Sequence, residues 1–351
     1  MNLFRITILF ALLTFVGTET RAQDITVIKG TEVRIIPISL SGYSGEAEKV
    51  LKFDLEIAGF EVTNADKAQY NLTGKEGGGQ LEGRLTDRIS KATILAKAYT
   101  GGTPRSQAHS LSDEIVQAVM RVPGVARTKI AFKGESPDGR TSEIYISDYD
   151  GYNAIPVTQD KSLAAAPAFV PGRWHLFYTS YKSGFAWIYS HNLTTGERRP
   201  FAKYGGLNTS AAISPDGKKV AMILSKSGSP DVWVANIDGT GLTQLTKTPV
   251  DESSPCWSPD GTKICFASRM EERRGLYIVP STGGTMTRLN TGGVPGPSEP
   301  DWSPDGKTIG FTSQRGGGFD ICTIPATGGS ATVLVEGEDP SWAPNSRTVV
   351  F

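Results

Sequence analysis

Three histidines and three cysteines are all that 351 residues contain, and no cysteine precedes position 256. Scarce histidine limits the groups that titrate near neutral pH and so limits general acid–base chemistry. Cys256, Cys265 and Cys322 have neither C-x-x-C spacing nor histidine neighbours, so zinc is not expected, and their odd number leaves at least one thiol unpaired. An excess of one charge is missing too: 36 Lys and Arg balance 36 Asp and Glu, with no long run of either sign. A nucleic-acid or acidic-lipid surface needs a basic stripe, so neither is expected as the main partner. The G-x-S-x-G elbow of serine hydrolases is absent, because Gly42-Tyr-Ser-Gly45 lacks the final glycine in register. Gly77-Gly-Gly79 is followed by no helical pattern and reads as a hairpin rather than a phosphate cradle.

What is plentiful is turn chemistry. Gly 40 and Pro 21, without a collagen period, point to many short strands joined by tight turns. Ahead of them, Arg5 precedes a largely apolar run from Ile6 to Val16, with Thr20 and Ala22 at the −3 and −1 positions of a cleavage site. That is the pattern of a secretory signal peptide over residues 1–22, too short for the ~20 apolar residues of a membrane span. Export to an oxidising compartment follows, with no cysteine at the cut to carry a lipid. Asn71-Leu-Thr and Asn192-Leu-Thr match the glycosylation sequon but read as chance for bacterial-type export.

Residues 23–125 mix strands and helices and are expected to form a small α/β domain with a partly antiparallel sheet. Val33–Leu40 is rich in β-branched residues. Ser44 is placed to cap a helix whose face carries Ala47, Val50, Leu51, Leu55 and Ala58, with Glu46 and Glu48 in its first turn and Gly59 at its end. Phe60–Ala65 is the next strand, and Leu81–Tyr99 holds two alternating runs, the clearest being Ala92-Ile94-Ala96-Ala98. Ser110-Leu-Ser-Asp113 has capping-box spacing for a second helix with Leu111, Ile115, Ala118 and Val119 inward.

From residue 126 the helical period gives way to a repeat. VPGRWHLFYTS, SPDGKKVAMILS, SPDGTKICFAS, SPDGKTIGFTS and APNSRTVVF align at prolines 171, 215, 259, 304 and 344, in steps of 44, 44, 45 and 40. Each unit reads strand, turn, strand, Gly turn, strand, and a short P-x-W or P-x-F stretch leads into the next. Four short strands per ~45 residues is the pattern of a propeller blade. Pro fixes φ at the turn's first corner, Asp accepts from nearby amides and Gly supplies positive φ. The Trp or Phe before the turn is expected to pack between neighbouring blades. A degenerate unit (Arg127–Lys133, Glu143–Ser147, Ile155–Thr158) precedes these. The fold class is therefore α+β multidomain, a small N-terminal α/β domain followed by a six-bladed β-propeller over 126–351. Its sixth blade stops after one hairpin, about 45 residues short.

HSLSDEIVQAVM (109–120), GVARTKIAF (124–132) and SDYDGYN (147–153), together with the propeller tiles, resemble the TolB family of periplasmic Tol-Pal proteins. The resemblance covers the chain after the leader, most loosely at 60–100. It implies a non-enzymatic scaffold without cofactor that supports outer-membrane integrity and constriction at division. It further implies that one propeller mouth binds the lipoprotein Pal. The mature N-terminus (Gln23, Asp24, Ile25, Thr26, Val27) would contact TolA and compete with Pal through a conformational link. By position in the tile, the Pal-facing loops precede each P-x-W strand: Asn208, Thr209 and Ser210; Glu252, Ser253 and Ser254; Ser298 and Glu299; Glu338 and Asp339. Their acidic character suits a cationic partner or a Ca²⁺ in the channel; the plainer reading of any one of them is a solvated loop charge.

The competing class is a secreted propeller enzyme, a polysaccharide lyase or hydrolase. It would need a His, Lys or Arg cluster with acids at the mouth, and no histidine lies in the four loops. His109 beside Ser112 and Asp113 suggests a triad, but neighbours on one helix turn do not give that geometry, and a capping role is expected. For the cysteines, a Pro-Asp-Gly loop with a glycine bulge sets Cys256 opposite residue 264 and sends the sulfurs of Cys256 and Cys265 to opposite faces; a two-residue loop would set them face to face. The first is expected, with buried free thiols.

Overall fold

The computed structural model describes residues 27–29, 35–271 and 273–351. The expected leader, and Gln23, Asp24, Ile25 and Thr26 of the expected TolA contact, lie outside them.

Residues 36–120 build one five-stranded sheet with two helices. The sheet comprises Ile36–Ser41, Phe60–Val62, Tyr70–Gly77, Gln80–Asp87 and Thr93–Thr100. Phe60–Val62 and Tyr70–Gly77 run parallel to Ile36–Ser41, and the last two strands are antiparallel. Helix α1 (Gly45–Ala58) begins after Ser44 and ends at Gly59, whose φ of 109° only glycine adopts easily. Helix α2 (Pro104–Met120) begins six residues before the expected capping box. Thr103 caps it, Pro104 occupies the first helical position, and Thr103 and Ser106 exchange the reciprocal capping-box bonds. Ser110 instead sits inside the helix and bonds back to the Ser106 carbonyl. Leu111 approaches the sheet at Gly83, where a Cβ would lie 2.7 Å from its methyl groups, so only glycine permits this packing. Ile38, Leu51, Leu55, Leu72, Leu81, Leu85, Leu111 and Ile115 form a dry core between helices and sheet.

Beyond residue 128 come five sheets of consecutive strands. Sheet 1 holds Lys129–Glu135, Ser142–Asp148 and Ile155–Pro156. Sheets 2 to 5 have four strands each and begin at Ala164–Phe169, Asn208–Ile213, Glu252–Trp257 and Ser298–Trp302. A shorter sheet pairs Ser341–Trp342 with Thr348–Val350, and Val27–Lys29 adds to it as a third strand. Successive first strands touch one another and so surround a common axis, the geometry of a β-propeller.

The turn after each first strand explains the repeat. In Ser258-Pro-Asp-Gly261, the Ser258 hydroxyl donates to Asp260 at 2.6 Å, Asp260 accepts from the Thr262 amide at 3.0 Å, and Gly261 N–H returns to the Ser258 carbonyl at 2.8 Å. The same bonds recur at Ser214–Lys219 and Ser303–Thr308. The serine hydroxyl, followed by the amide, holds the Asp216 and Asp260 carboxyls below the ordinary carboxylate range. Trp257 packs against Ala221 and Ile223 of the preceding sheet and donates its indole N–H to the Ala212 carbonyl at 3.0 Å.

Ser258 and Lys263 close this turn, so its loop is Pro259-Asp-Gly-Thr262, four residues rather than three. An even loop preserves parity, and Cys256 therefore pairs directly with Cys265. The expected pairing with residue 264 is wrong because Thr262 joins the loop and restores the residue taken up by left-handed Gly261. All three cysteines are buried free thiols; Cys256 is pushed well up by its contact with Cys265 and by burial.

Candidate functional site: a bulged propeller mouth

Each first strand of sheets 2 to 5 breaks register with its neighbour at the same point: between Ala165 and Ala168, Thr209 and Ala212, Ser253 and Cys256, and Ser298 and Asp301. At each break sits a non-glycine residue with positive φ: Ala166 (50°), Ser210 (55°), Ser254 (51°) and Glu299 (50°), and Asp339 (55°) precedes the last sheet equivalently. A side chain there costs on the order of 1–3 kcal/mol, so five copies at one end of the axis mark a built feature. Cross-sheet bonds hold two of the five. Ser210 N–H donates to Thr179 Oγ1 at 3.3 Å, and Asp339 N–H donates to Thr312 Oγ1 at 3.0 Å and Glu299 Oε2 at 3.2 Å. The bulges draw Ser210, Ser254, Glu299 and Asp339 to corresponding places at the strand starts.

The remaining candidates divide. Glu338 and Asp339 are exposed, while Thr209, Ser253, Ser254, Ser210 and Glu299 are half-buried. Asn208 is fully buried and spends its amide on the carbonyls of Ala186, Tyr204 and Gly206. Glu252, 2% exposed, accepts from Val232 N–H at 3.0 Å, Thr248 Oγ1 at 3.1 Å and Thr246 Oγ1. Burial raises its pKa, and those donors oppose the rise. Glu252, Asn208 and buried Ser298 thus brace the loops from within. Asp339 is pushed up to about 6 by desolvation and then by the Glu299 and Glu338 charges, with Lys133 opposing. Among the described residues, no three His, Cys, Asp or Glu side chains are placed to hold a metal ion. Val27 lies in the strand on Val350, at the last sheet.

At the opposite end of the axis, where the turns lie, the helical layer touches the first and last sheets. Phe53 and Ile57 of α1 pack with Val125, Ala126, Tyr149, Ile130 and Ala343. A polar cluster lies beside them. Asp54, 3% exposed, accepts from Tyr149 Oη at 2.5 Å and His109 Nδ1 at 2.9 Å. Arg105 of α2 pairs with Asp150 and stacks on the Tyr152 ring at 4.0 Å. Asp113 accepts from the amides of Ala126 and Arg127. His109 therefore neither caps a helix nor serves a serine; it joins two helices to the first propeller sheet. Sequence reasoning missed Asp54, Arg105, Tyr149 and Asp150 in this role, although the SDYDGYN string contains two of them. An acid among the apolar positions of α1 was the available signal.

Blade-like sheets around one axis, bulged at one end and joined at the other to an α/β layer through the first and last sheets, define a multi-bladed β-propeller protein. Residues 116–351 match the family model described as the TolB beta propeller domain. The chain belongs to that family. The Tol-Pal system protein TolB of Anaeromyxobacter dehalogenans strain 2CP-C is 29% identical, over 66% of this chain and 62% of that one. Its counterpart in Anaeromyxobacter sp. strain K is 32% identical over the same shares. The chain thus spans about three fifths of the length of these relatives. Among solved structures, TolB from Acinetobacter baumannii superposes with a TM-score of 0.80 at 22% identity, over 92% of this chain and 88% of that one. A putative TolB from Agrobacterium tumefaciens gives 0.54 at 21% identity, over 64% and 89%. Both are likenesses of fold.

Proposed function

We propose that this protein is a periplasmic interaction scaffold of the Tol-Pal system. In this reading residues 23–125 form an N-terminal domain, and 126–351 a six-bladed ring in which the short sheet of Val27–Lys29, Ser341–Trp342 and Thr348–Val350 is the sixth. The mouth formed by the bulged strand starts receives the lipoprotein Pal. The segment Gln23–Val27 receives TolA, and the assembly serves outer-membrane integrity and constriction at division. The observation that carries the reading is the repeat of left-handed Ser210, Ser254, Glu299 and Asp339 at the end of the axis opposite the α/β layer. Strain repeated at one surface, held at two places by bonds between sheets, suits a preorganised docking ring. An enzymatic reading gains nothing from the histidines: His109 lies between helices and propeller, His175 bonds Ser190, and His191 is buried within sheet 2. In a pull-down from an envelope extract the protein should retain Pal, and the double variant Glu338→Lys/Asp339→Lys, at two exposed positions, should lose it while keeping its melting midpoint. Retention unchanged by both substitutions, or no Pal at all, sinks the proposal.

A further inference from the structure

The middle hairpin of sheet 4 is longer than those of sheets 2 and 3. Lys263–Glu271 and Arg273–Pro280 pair out to Glu271 opposite Arg273, where the equivalent strands of sheets 2 and 3 are six residues each. The extension carries Arg269, Arg273 and Arg274 at the mouth end. Together with Arg288 of the outermost strand, they line a cavity of about 750 Å³ between this hairpin and sheet 5, where Asn290 and Gln314 add amides.

The walls are fixed. Gly275 leaves space for Arg288: a Cβ there would lie 2.9 Å from its Nε and 3.3 Å from its Nη2, so the guanidinium lies across the strand. Glu271 pairs with Arg288 and holds its head at the rim. The floor loop is tied down at Gly292 and Gly296, both left-handed. A Cβ on Gly292 would meet the Gly329 carbonyl at 2.9 Å, and one on Gly296 would meet Gln314 at 3.3 Å. Four guanidiniums therefore line a shaped volume, and Glu271 is the acid paired with one of them. In a chain of zero formal charge, 4 of the 36 Lys and Arg line this one cleft of ligand size.

Guanidinium forks match carboxylate and phosphate, and the size of the cleft selects between their carriers. A 750 Å³ volume is roughly 9 Å across. An extended acidic peptide spaces same-side carboxylates ~7 Å apart, so about two would enter. A diphosphate brings about three charges within one compact group. We propose that the cleft of Arg269, Arg273, Arg274 and Arg288 binds a diphosphate or bisphosphate group, on a soluble molecule or a lipid headgroup. This does not rest on the partner assignment above.

Titrating inorganic pyrophosphate into the purified chain by calorimetry tests it. Binding should weaken with salt, and Arg274→Ala and Arg288→Ala should each reduce affinity at least about tenfold. Arg274→Lys should fall between, since it keeps charge but loses the fork. Arg288 is exposed and Arg274 half-buried, and unchanged melting midpoints would show the variants folded. Flotation with phosphatidylcholine vesicles, with and without a lipid bearing a diphosphate headgroup, assigns the source. Retention on doped vesicles alone, displaced by pyrophosphate, means a lipid; no retention means a soluble ligand. The proposal is overturned if pyrophosphate does not bind, binds the alanine variants equally, or is outcompeted by an acidic peptide.

Discussion

Replacing Tyr149 by Phe removes one oxygen from the junction between helices and propeller and leaves the ring in its contact with Val125, Ala126 and Phe53. The oxygen donates at 2.5 Å to Asp54, a carboxylate 3% exposed whose other donor is His109 Nδ1 at 2.9 Å. Burial and the Asp54 charge push the phenol's pKa well above its ordinary value, so it stays a donor throughout the accessible range. A hydrogen bond to a charged acceptor contributes about 1.5–3 kcal/mol, and Tyr149→Phe should cost about 2 kcal/mol on that scale. Asp54→Ala removes both bonds and should cost more, on the order of 3–5 kcal/mol. The molecule supplies its own reporters. All 6 tryptophans lie at or beyond Trp174, in the propeller, whereas α1 and α2 are the α-helices among the described residues. Urea unfolding followed by tryptophan fluorescence and by helical circular dichroism should coincide in the wild type. In Tyr149→Phe the helical signal should be lost at lower urea, with a coupling to Asp54→Asn of about 1–3 kcal/mol in a double-mutant cycle. Coincident transitions in both variants, with a change below about 0.5 kcal/mol, would refute the idea that this cluster joins the two parts.

Glu252→Ala strands the Thr246 hydroxyl, removes one of two acceptors from the Thr248 hydroxyl and from the Val232 amide, and should lower stability by roughly 3 kcal/mol in thermal unfolding. Glu338→Lys, at an exposed rim position, should leave the midpoint within about 0.5 kcal/mol and act on binding alone. Asp339 supplies a pH dependence. Its folded pKa of about 6 exceeds the ordinary aspartate value of 3.8, so the folded state binds the extra proton between those values and loses that stability as pH rises through about 6. A cationic partner favours the ionised form, so affinity should rise with pH across the same window, and Asp339→Asn should flatten the profile; an unchanged profile contradicts the assignment.

The propeller was legible because its information is local and repeated. One Ser-Pro-Asp-Gly turn is common chemistry, but copies in steps of 44 and 45 residues fix strand count and order, and Trp257 packs as the tile required. Parity was less accessible. The pairing of Cys256 with Cys265 turned on whether Thr262 belonged to the loop, which only hydrogen bonding decides. The strand Thr93–Thr100 shows the same weakness: its regular alternation at 92, 94, 96 and 98 suggested one face, yet Leu95 and Tyr99 pack on the core. In α2, Thr103-Pro104 outcompeted Ser110-x-x-Asp113 because the proline presets the first helical turn. At the site, tile position found the strand starts but not burial. Glu299 holds the left-handed place of Ser210 and Ser254, whereas Glu252 lies two places earlier with Asn208, and only the fold shows that this earlier place faces inward.

Hydrogen exchange on the wild-type chain, free and with the soluble domain of Pal, tests the docking ring most directly. The expected footprint is slowed exchange at 208–210, 252–254, 298–299 and 338–339, with the Ser-Pro-Asp-Gly turns at the other end unchanged. Protection confined to those turns or to the helical layer, with the strand starts unaffected, would contradict the account.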